Sequence, residues 1–228
     1  MKWVVIILVV IVAGAVGNYW YEGYSAQSAL LEQPVYRVLK KHEPDVYAKL
    51  VDEYKVYERD ETRRENFINL ANSEITLTAT RNLAHASQAS VLALIKDMLA
   101  TARRLEKEPG EACFRYWFPQ VAGPPDIAKY IDPVAQAHTL DLMGEVIRSA
   151  AVKPEPLPAA EAVKDNLAKV IDGTYEQYGA DAQMISNAED PRVDRAKVCT
   201  ITNSVYERIL SLPPAQSSAL IRAMTQLR

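Results

Sequence analysis

Residues 83–105 read LAHASQASVLALIKDMLATARRL, and this stretch decides the fold class. Apolar and small side chains recur in it at steps of three and four, the period of an α-helix with one buried face. The stripe consists of Leu83, Ser87, Val91, Leu94, Met98, Ala102 and Leu105. Between Glu74 and Lys96 the one formal charge is Arg81, which is typical of a helix surrounded by other helices. We predict a central helix over residues 62–107, either continuous or as two helices in line.

Helical periodicity continues through the rest of the chain, and no segment alternates long enough to predict a strand. Asp132-Pro133 and Asp190-Pro191 both predict helix starts, because aspartate caps a helix and proline fits its first turn. An apolar stripe from Val163 to Ile185 predicts one long helix that ends near residue 187.

The amino terminus carries the strongest apolar run of the chain. Residues 3–17 read WVVIILVVIVAGAVG, and three aromatic residues follow at positions 19–21. Nineteen helical residues cover about 28 Å, close to the hydrocarbon thickness of a bilayer, and aromatic rings favour headgroup depth. We predict an uncleaved membrane helix over residues 1–21. The alternatives are a cleaved signal peptide, which leaves a secreted or periplasmic protein, and a buried helix of a soluble protein.

The charges near this helix predict its orientation. Lys2 precedes the apolar run, whereas residues 18–36 contain no Lys or Arg. Positive residues stay in the cytoplasm, so we expect the body outside it, on the periplasmic side in a bacterium. The net charge of −3 argues against a nucleic-acid partner, which requires a basic surface.

We therefore predict an all-α chain with three parts. The membrane helix is followed by an antiparallel multi-helix bundle over residues 22–152, and C-terminal helices over 159–228 pack on the same bundle. Residues 153–158, KPEPLP, connect the two, because alternating prolines exclude a helix.

Two cysteines are present, Cys113 and Cys199. In an exported body, an even and small number of cysteines predicts a disulfide. The alternative is two separately buried free thiols, which cysteine tolerates.

Two groups of aromatic residues form the predicted interaction surface. Tyr47, Tyr54 and Tyr57 share one face of a helix that begins at Pro44, and this face either packs on the body or stays exposed to lipid or a partner. The aromatic segment, residues 113–118, is either a short piece pinned into the core by the disulfide or the wall of a recognition groove. Its aromatic residues are Phe114, Tyr116, Trp117 and Phe118.

The sequence lacks the motifs of common catalytic and metal sites. It contains no His-Glu-x-x-His, no Glu-x-x-His, no Cys-x-x-Cys and no glycine-rich phosphate loop. We therefore predict no catalytic residue, no metal and no cofactor, and we interpret His85 as a hydrogen-bonded core histidine.

Three hypotheses for function follow from these observations. The first is a membrane-tethered, extracytoplasmic protein that binds other envelope proteins. The second is an envelope enzyme with a carboxylate in a helical cleft, for which Glu74 and Glu145 are candidates. The third is a helical bundle that binds a small molecule or lipid against the aromatic segment.

Overall fold

The computed structural model describes residues 26–226, and it is all-α over this range, so the predicted helical bundle is confirmed there. Residues 26–31 are helical. Ten further α-helices lie wholly within the described range: α1 (Pro34–His42), α2 (Pro44–Arg59), α3 (Arg64–Leu83), α4 (Gln88–Leu105), α5 (Ala112–Trp117), α6 (Pro119–Ala122), α7 (Pro133–Val152), α8 (Ala160–Tyr178), α9 (Arg195–Ser211) and α10 (Pro214–Met224). Short 3-10 helices occupy Glu61–Arg63, Ile127–Lys129 and Gly179–Asn187.

The predicted membrane helix over residues 1–21 lies outside the described residues. Among the helices of residues 26–226, none combines the length and the apolar composition that a membrane crossing requires.

The chain divides into two compact units, one up to Thr78 and one from Ala79 onward. The connector predicted at residues 153–158 lies within the second unit. Within the first unit, α1 and α2 pack against each other, and Val35, Leu39 and Leu50 are fully enclosed. Val35 and Leu39 share one face of α1, so this short helix is held by the apolar side that it turns to the unit.

The central helix of the second unit is α4, which contacts α5, α7, α9 and α10. Leu83, Val91 and Leu94 are buried as predicted, and Met98 is half-buried against the same core. The core also receives Val146 of α7 and side chains of α8, α9 and α10, namely Val163, Val170, Ile209, Leu220 and Ile221. Burial of α4 on several sides explains why its first eight residues, 88–95, carry no charge.

Of the two forms predicted for residues 62–107, the structure has the second: two helices, α3 and α4, separated by residues 84–87. Ser87 caps α4, with its hydroxyl accepting a hydrogen bond from the Ser90 N–H at 3.3 Å. Arg222 of α10 reaches this break and donates from Nε to the Ala84 carbonyl at 2.9 Å. The prediction of a core position for His85 is wrong, because its side chain is exposed at the break.

Arg222 also fixes the proline-rich connector. Its guanidinium pairs with the Glu155 carboxylate at 2.6 Å and donates to the Pro156 carbonyl. The Glu155 backbone N–H donates to the His85 carbonyl at 2.9 Å, and the other carboxylate oxygen of Glu155 accepts from the Gln88 N–H at 3.1 Å. One buried arginine therefore joins α10, the helix break and the connector.

Two helix boundaries near the carboxyl end differ from the prediction. The long helix predicted through residue 187 ends at Tyr178, because Gly179 adopts a positive φ of 57°, and a 3-10 helix follows. Asp190-Pro191 does not start a helix, since Asp190 binds the backbone and side chain of Arg192. The cap of α9 is Asp194, which accepts from the Lys197 N–H at 3.0 Å. The predicted Asp132-Pro133 start of α7 is confirmed.

Candidate binding cleft at the aromatic segment

A disulfide joins α5 to α9. The Cα atoms of Cys113 and Cys199 lie 5.9 Å apart, and both residues are buried. The predicted pairing is therefore confirmed, and it fastens the start of the aromatic segment to a long helix. A short helix of six residues is marginal alone, so this covalent link and the packing beneath it position the segment.

Asn203, one helical turn after Cys199, is fully buried beside the disulfide. Its amide nitrogen lies 3.7 and 3.6 Å from the two sulfur atoms and donates to the Glu106 carboxylate at 3.0 Å. Its amide oxygen accepts from the Trp117 indole N–H at 2.8 Å. Both polar ends of the side chain are thus satisfied, as a buried amide requires.

Glu106 is held from three sides at the end of α4. Burial alone raises the pKa of its carboxyl, but hydrogen bonds from Thr200, Arg103 and Asn203 outweigh this effect, so the net pKa is lowered. The Thr200 hydroxyl donates at 2.6 Å and the Arg103 guanidinium at 2.7 Å. A carboxylate that is ionised and fully engaged in this way serves to hold structure, and it offers no proton for acid catalysis.

The aromatic residues of the segment divide between the core and the surface. Phe114 is buried, stacks on Phe118 with ring centroids 5.1 Å apart, and carries the Arg195 guanidinium 5.0 Å from its ring centroid. Trp117 stacks on Tyr206 of α9 at 4.5 Å, nearly parallel. Burial raises the pKa of Tyr206, so its hydroxyl stays protonated at physiological pH. The burial of Phe114 and the stacking of Trp117 on Tyr206 hold the segment in place, and we call it the aromatic wall.

An open cleft of about 360 Å³ lies against the end of this wall. Its apolar surface comes from Phe118 and Val121 on one side and Ile185 and Ala188 on the other. The polar surface is formed by Gln120, Ser186, Asn187, Glu189 and Asp190. The end of the 3-10 helix Gly179–Asn187 and the three residues after it supply the second side, so the early end of α8 at Gly179 creates the cleft.

The rim of the cleft is negatively charged. Hydrogen bonds from the side chain and backbone N–H of Arg192 lower the pKa of Asp190 to about 2, so this carboxylate remains ionised at any physiological pH. Glu189 beside it is exposed. Residues 160–190 carry seven acidic and two basic side chains, which is a net charge of −5 where the whole chain has −3. The Asp190 carboxylate is paired with Arg192 at 2.7 Å, so the exposed Glu189 and the acidic stretch 160–190 are the features that favour a positively charged ligand.

The structure brings together only part of the predicted interaction surface. Tyr47 is buried in the first unit, while Tyr54 and Tyr57 are half-buried around Phe67, with Tyr54 and Phe67 centroids 5.2 Å apart. In the second unit, Phe114 is buried and Phe118 lines the cleft. Tyr116 and Trp117 are half-buried beside α9. Binding through any of these side chains stays a prediction.

Several cleft residues escaped prediction from the sequence. Ile185 was assigned to the buried stripe of a helix, and Asp190 to a helix start. Gly179 was the available signal, because glycine is common where a helix ends, and the small residues after it do not favour a continued amphipathic face.

The two glutamates considered for catalysis are engaged on the surface. Glu74 pairs with Lys49 at 2.6 Å, and Glu145 pairs with Arg148 one turn away. Over residues 26–226 no Asp or Glu is buried, and no group of three or more metal-ligating side chains could hold a metal ion.

Comparison of the chain with protein-family models, with curated proteins and with solved structures finds no match.

Proposed function

We propose that this chain is a membrane-tethered, extracytoplasmic helical protein that binds another protein of the cell envelope, and that the cleft beside the aromatic segment receives a basic segment of that partner. The observation that carries the proposal is the cleft itself. It combines apolar side chains of Phe118, Val121 and Ile185 with the carboxylates of Glu189 and Asp190 at its rim. Such a surface complements a lysine or arginine side chain, whose apolar stem packs while its charged end meets a carboxylate.

The location outside the cytoplasm has two supports. The apolar run of residues 3–17, preceded by Lys2, is typical of a signal anchor. The Cys113–Cys199 disulfide is compatible with an oxidising compartment. Intact mass of the membrane-extracted chain, with protease digestion from either side, tests this part. A mass that lacks the first fifteen to seventeen residues would identify a cleaved signal instead.

The alternatives have weaker support. The hypothesis of an enzyme with a buried carboxylate lacks support, because no Asp or Glu is buried among residues 26–226. A small-molecule site is compatible with the size of the cleft, since ligand sites span roughly 300–1,000 Å³, but its polar and open wall does not suit a lipid. A protein segment suits an open cleft that has apolar residues on both sides and carboxylates at its rim.

Site-specific photo-crosslinking tests the binding role in the full chain. A photoreactive amino acid at Val121 should give a discrete protein adduct in native membranes, whereas the same group at Val134, which is 79% exposed in the same unit, should not. Glu189→Lys should abolish the adduct, because it reverses a rim charge. The matched reversal Asp141→Lys, at an exposed position of α7, should leave it intact. Equal adducts from Val121 and Val134 would contradict a role for the cleft.

A further inference from the structure

The short helix α1 separates its side chains into an apolar and a basic face. Val35, Tyr36 and Leu39 are buried within the first unit. Arg37, Lys40 and Lys41 are exposed, and we call these three the basic face. At about 100° per residue they fall within roughly a quarter to a third of the helix circumference, opposite the buried residues. The basic face therefore points away from the core of its unit.

The positive charges of the basic face are not neutralised by carboxylates. Within residues 26–226 the structure pairs none of the three with an Asp or Glu. Arg37 donates to the Leu31 carbonyl at 2.9 Å, and the Lys40 ammonium lies 5.8 Å from the Tyr47 ring centroid. In contrast, α2 mixes four acidic with three basic residues. A helix with three cations and no acidic residue is thus the one distinctly basic surface that α1 and α2 present.

We propose that the basic face of α1 binds the anionic headgroups of the membrane surface next to the tether. This inference rests on the proposed membrane helix over residues 1–21, because that helix would keep α1 near the lipid. Arg37 follows Tyr21 by sixteen residues, so even a fully extended chain holds it within roughly 55 Å of the end of the span. Residues 26–31 are helical, which shortens that reach further.

Charge complementarity selects the lipid surface as the occupant. Each lysine or arginine that lies near an anionic bilayer increases the partitioning of the protein onto the bilayer surface about fivefold. Three cations on one side of a helix can meet a plane of headgroups together, whereas they converge on no cavity that a small anion would fill. The apolar side of α1 is already used by its own unit, so the helix lies on the surface through charge and does not insert.

Lysine acetylation of the full chain in vesicles tests the proposal. The measured quantity is the acetylation rate of Lys40 and Lys41, read by mass spectrometry relative to Lys164 and Lys169. These reference lysines lie on acidic α8, which an anionic surface repels. In vesicles of phosphatidylcholine with phosphatidylglycerol, the rates at Lys40 and Lys41 should fall about fivefold or more below those in phosphatidylcholine alone. At about 1 M salt, where charges are screened within about 3 Å, the difference should disappear.

A pair of variants makes the readout specific to charge. Arg37→Gln removes one positive charge from the basic face without removing a lysine that is measured. It should reduce the protection of Lys40 and Lys41 from acetylation severalfold. Arg64→Gln, an exposed arginine at the start of α3, should leave that protection unchanged.

Three results would overturn the proposal. Equal rates in both kinds of vesicle would exclude an anionic lipid contact, and protection that persists at high salt would indicate cover by another part of the chain. Equal protection of the detergent-solubilised chain by inorganic phosphate would indicate a free-anion site. Alkaline extraction of the vesicles reports separately on the tether. If the chain resists alkaline extraction but Lys40 and Lys41 are not protected, this inference is wrong and the tether stands. If Lys40 and Lys41 are protected but alkali extracts the chain, the tether is wrong and the lipid contact stands.

Discussion

The second unit contains two buried polar networks that do different tasks. At one, Arg222 binds the backbone carbonyls of Ala84 and Pro156 and the carboxylate of Glu155. At the other, Asn203 joins side chains from α4, α5 and α9 beside the disulfide. The Arg222 network supplies hydrogen bonds to backbone carbonyls of the helix break and the proline-rich connector, which have no helical partners of their own. The second fills the space between regular helices.

This difference teaches where polar groups are needed inside a helical bundle. Backbone N–H and C=O groups within a helix form hydrogen bonds with each other. Buried backbone carbonyls outside a helix therefore need a hydrogen-bond donor from another part of the chain. Arg222 meets that need with one side chain that is 5% exposed. The Asn203 side chain bonds no backbone group among the described residues, and it instead holds the Trp117 indole and the Glu106 carboxylate in place beside the disulfide.

The largest effect is expected where a covalent bond supports the second network. In the double variant Cys113→Ser with Cys199→Ser, the free energy of unfolding should fall by about 4–5 kcal/mol, since a link across 86 residues restricts the unfolded chain strongly. Urea unfolding of the variant and of the oxidised and reduced parent measures it. A fall below about 1 kcal/mol would show that noncovalent packing alone holds the aromatic segment.

Arg222→Met should lower the free energy of unfolding by about 3 kcal/mol, because it leaves the Glu155 carboxylate and the carbonyls of Ala84 and Pro156 without their donor. We expect the lower end of the range for buried pairs, since the Glu155 side chain is 36% exposed and water can reach it. Arg148→Met, which breaks the exposed pair with Glu145, is the matched control and should change stability by less than about 1 kcal/mol. Similar losses in both variants would mean that the Arg222 network is solvated.

The sequence predicts these networks to different degrees. The disulfide was predictable because the chain has two cysteines, each with one possible partner, and the sequence predicts an exported body. Helical period also predicted the burial of Leu94. Arg222 was not predictable, because its acceptors lie 138 and 66 residues away and an arginine near a helix end ordinarily faces solvent. The cleft was missed for a related reason: its second wall depends on how Gly179 turns the chain, which periodicity does not report.

Asn203→Ala tests the second network without touching the disulfide. Loss of the amide leaves the Trp117 N–H without its partner and removes one donor to Glu106, so we expect a destabilisation of about 2 kcal/mol in urea unfolding. Tryptophan fluorescence of the folded variant should shift as well, because the indole of Trp117 changes its environment. Asn187→Ala removes an exposed amide bonded to the Gln183 carbonyl, and it should have an effect within about 0.5 kcal/mol. If the two losses were equal, Asn203 would have no special part beside the disulfide.

The smallest effect concerns the charge of Glu106. Because its pKa is lower in the folded protein than in the unfolded chain, the ionised carboxylate stabilises the fold above the unfolded pKa, and this stabilisation disappears as the pH falls through the folded pKa. The stability difference between the parent and Glu106→Gln should therefore be largest near neutral pH and should shrink below about pH 4.5. We expect this difference to stay under about 1 kcal/mol, since Arg103 and Glu207 around Glu106 are partly exposed.

Thr200→Val removes one hydrogen bond to the Glu106 carboxylate, which raises the pKa of Glu106, so the pH dependence measured in that background should be weaker. A difference between the parent and Glu106→Gln that grows as the pH falls would show that burial, and not hydrogen bonding, dominates at this residue.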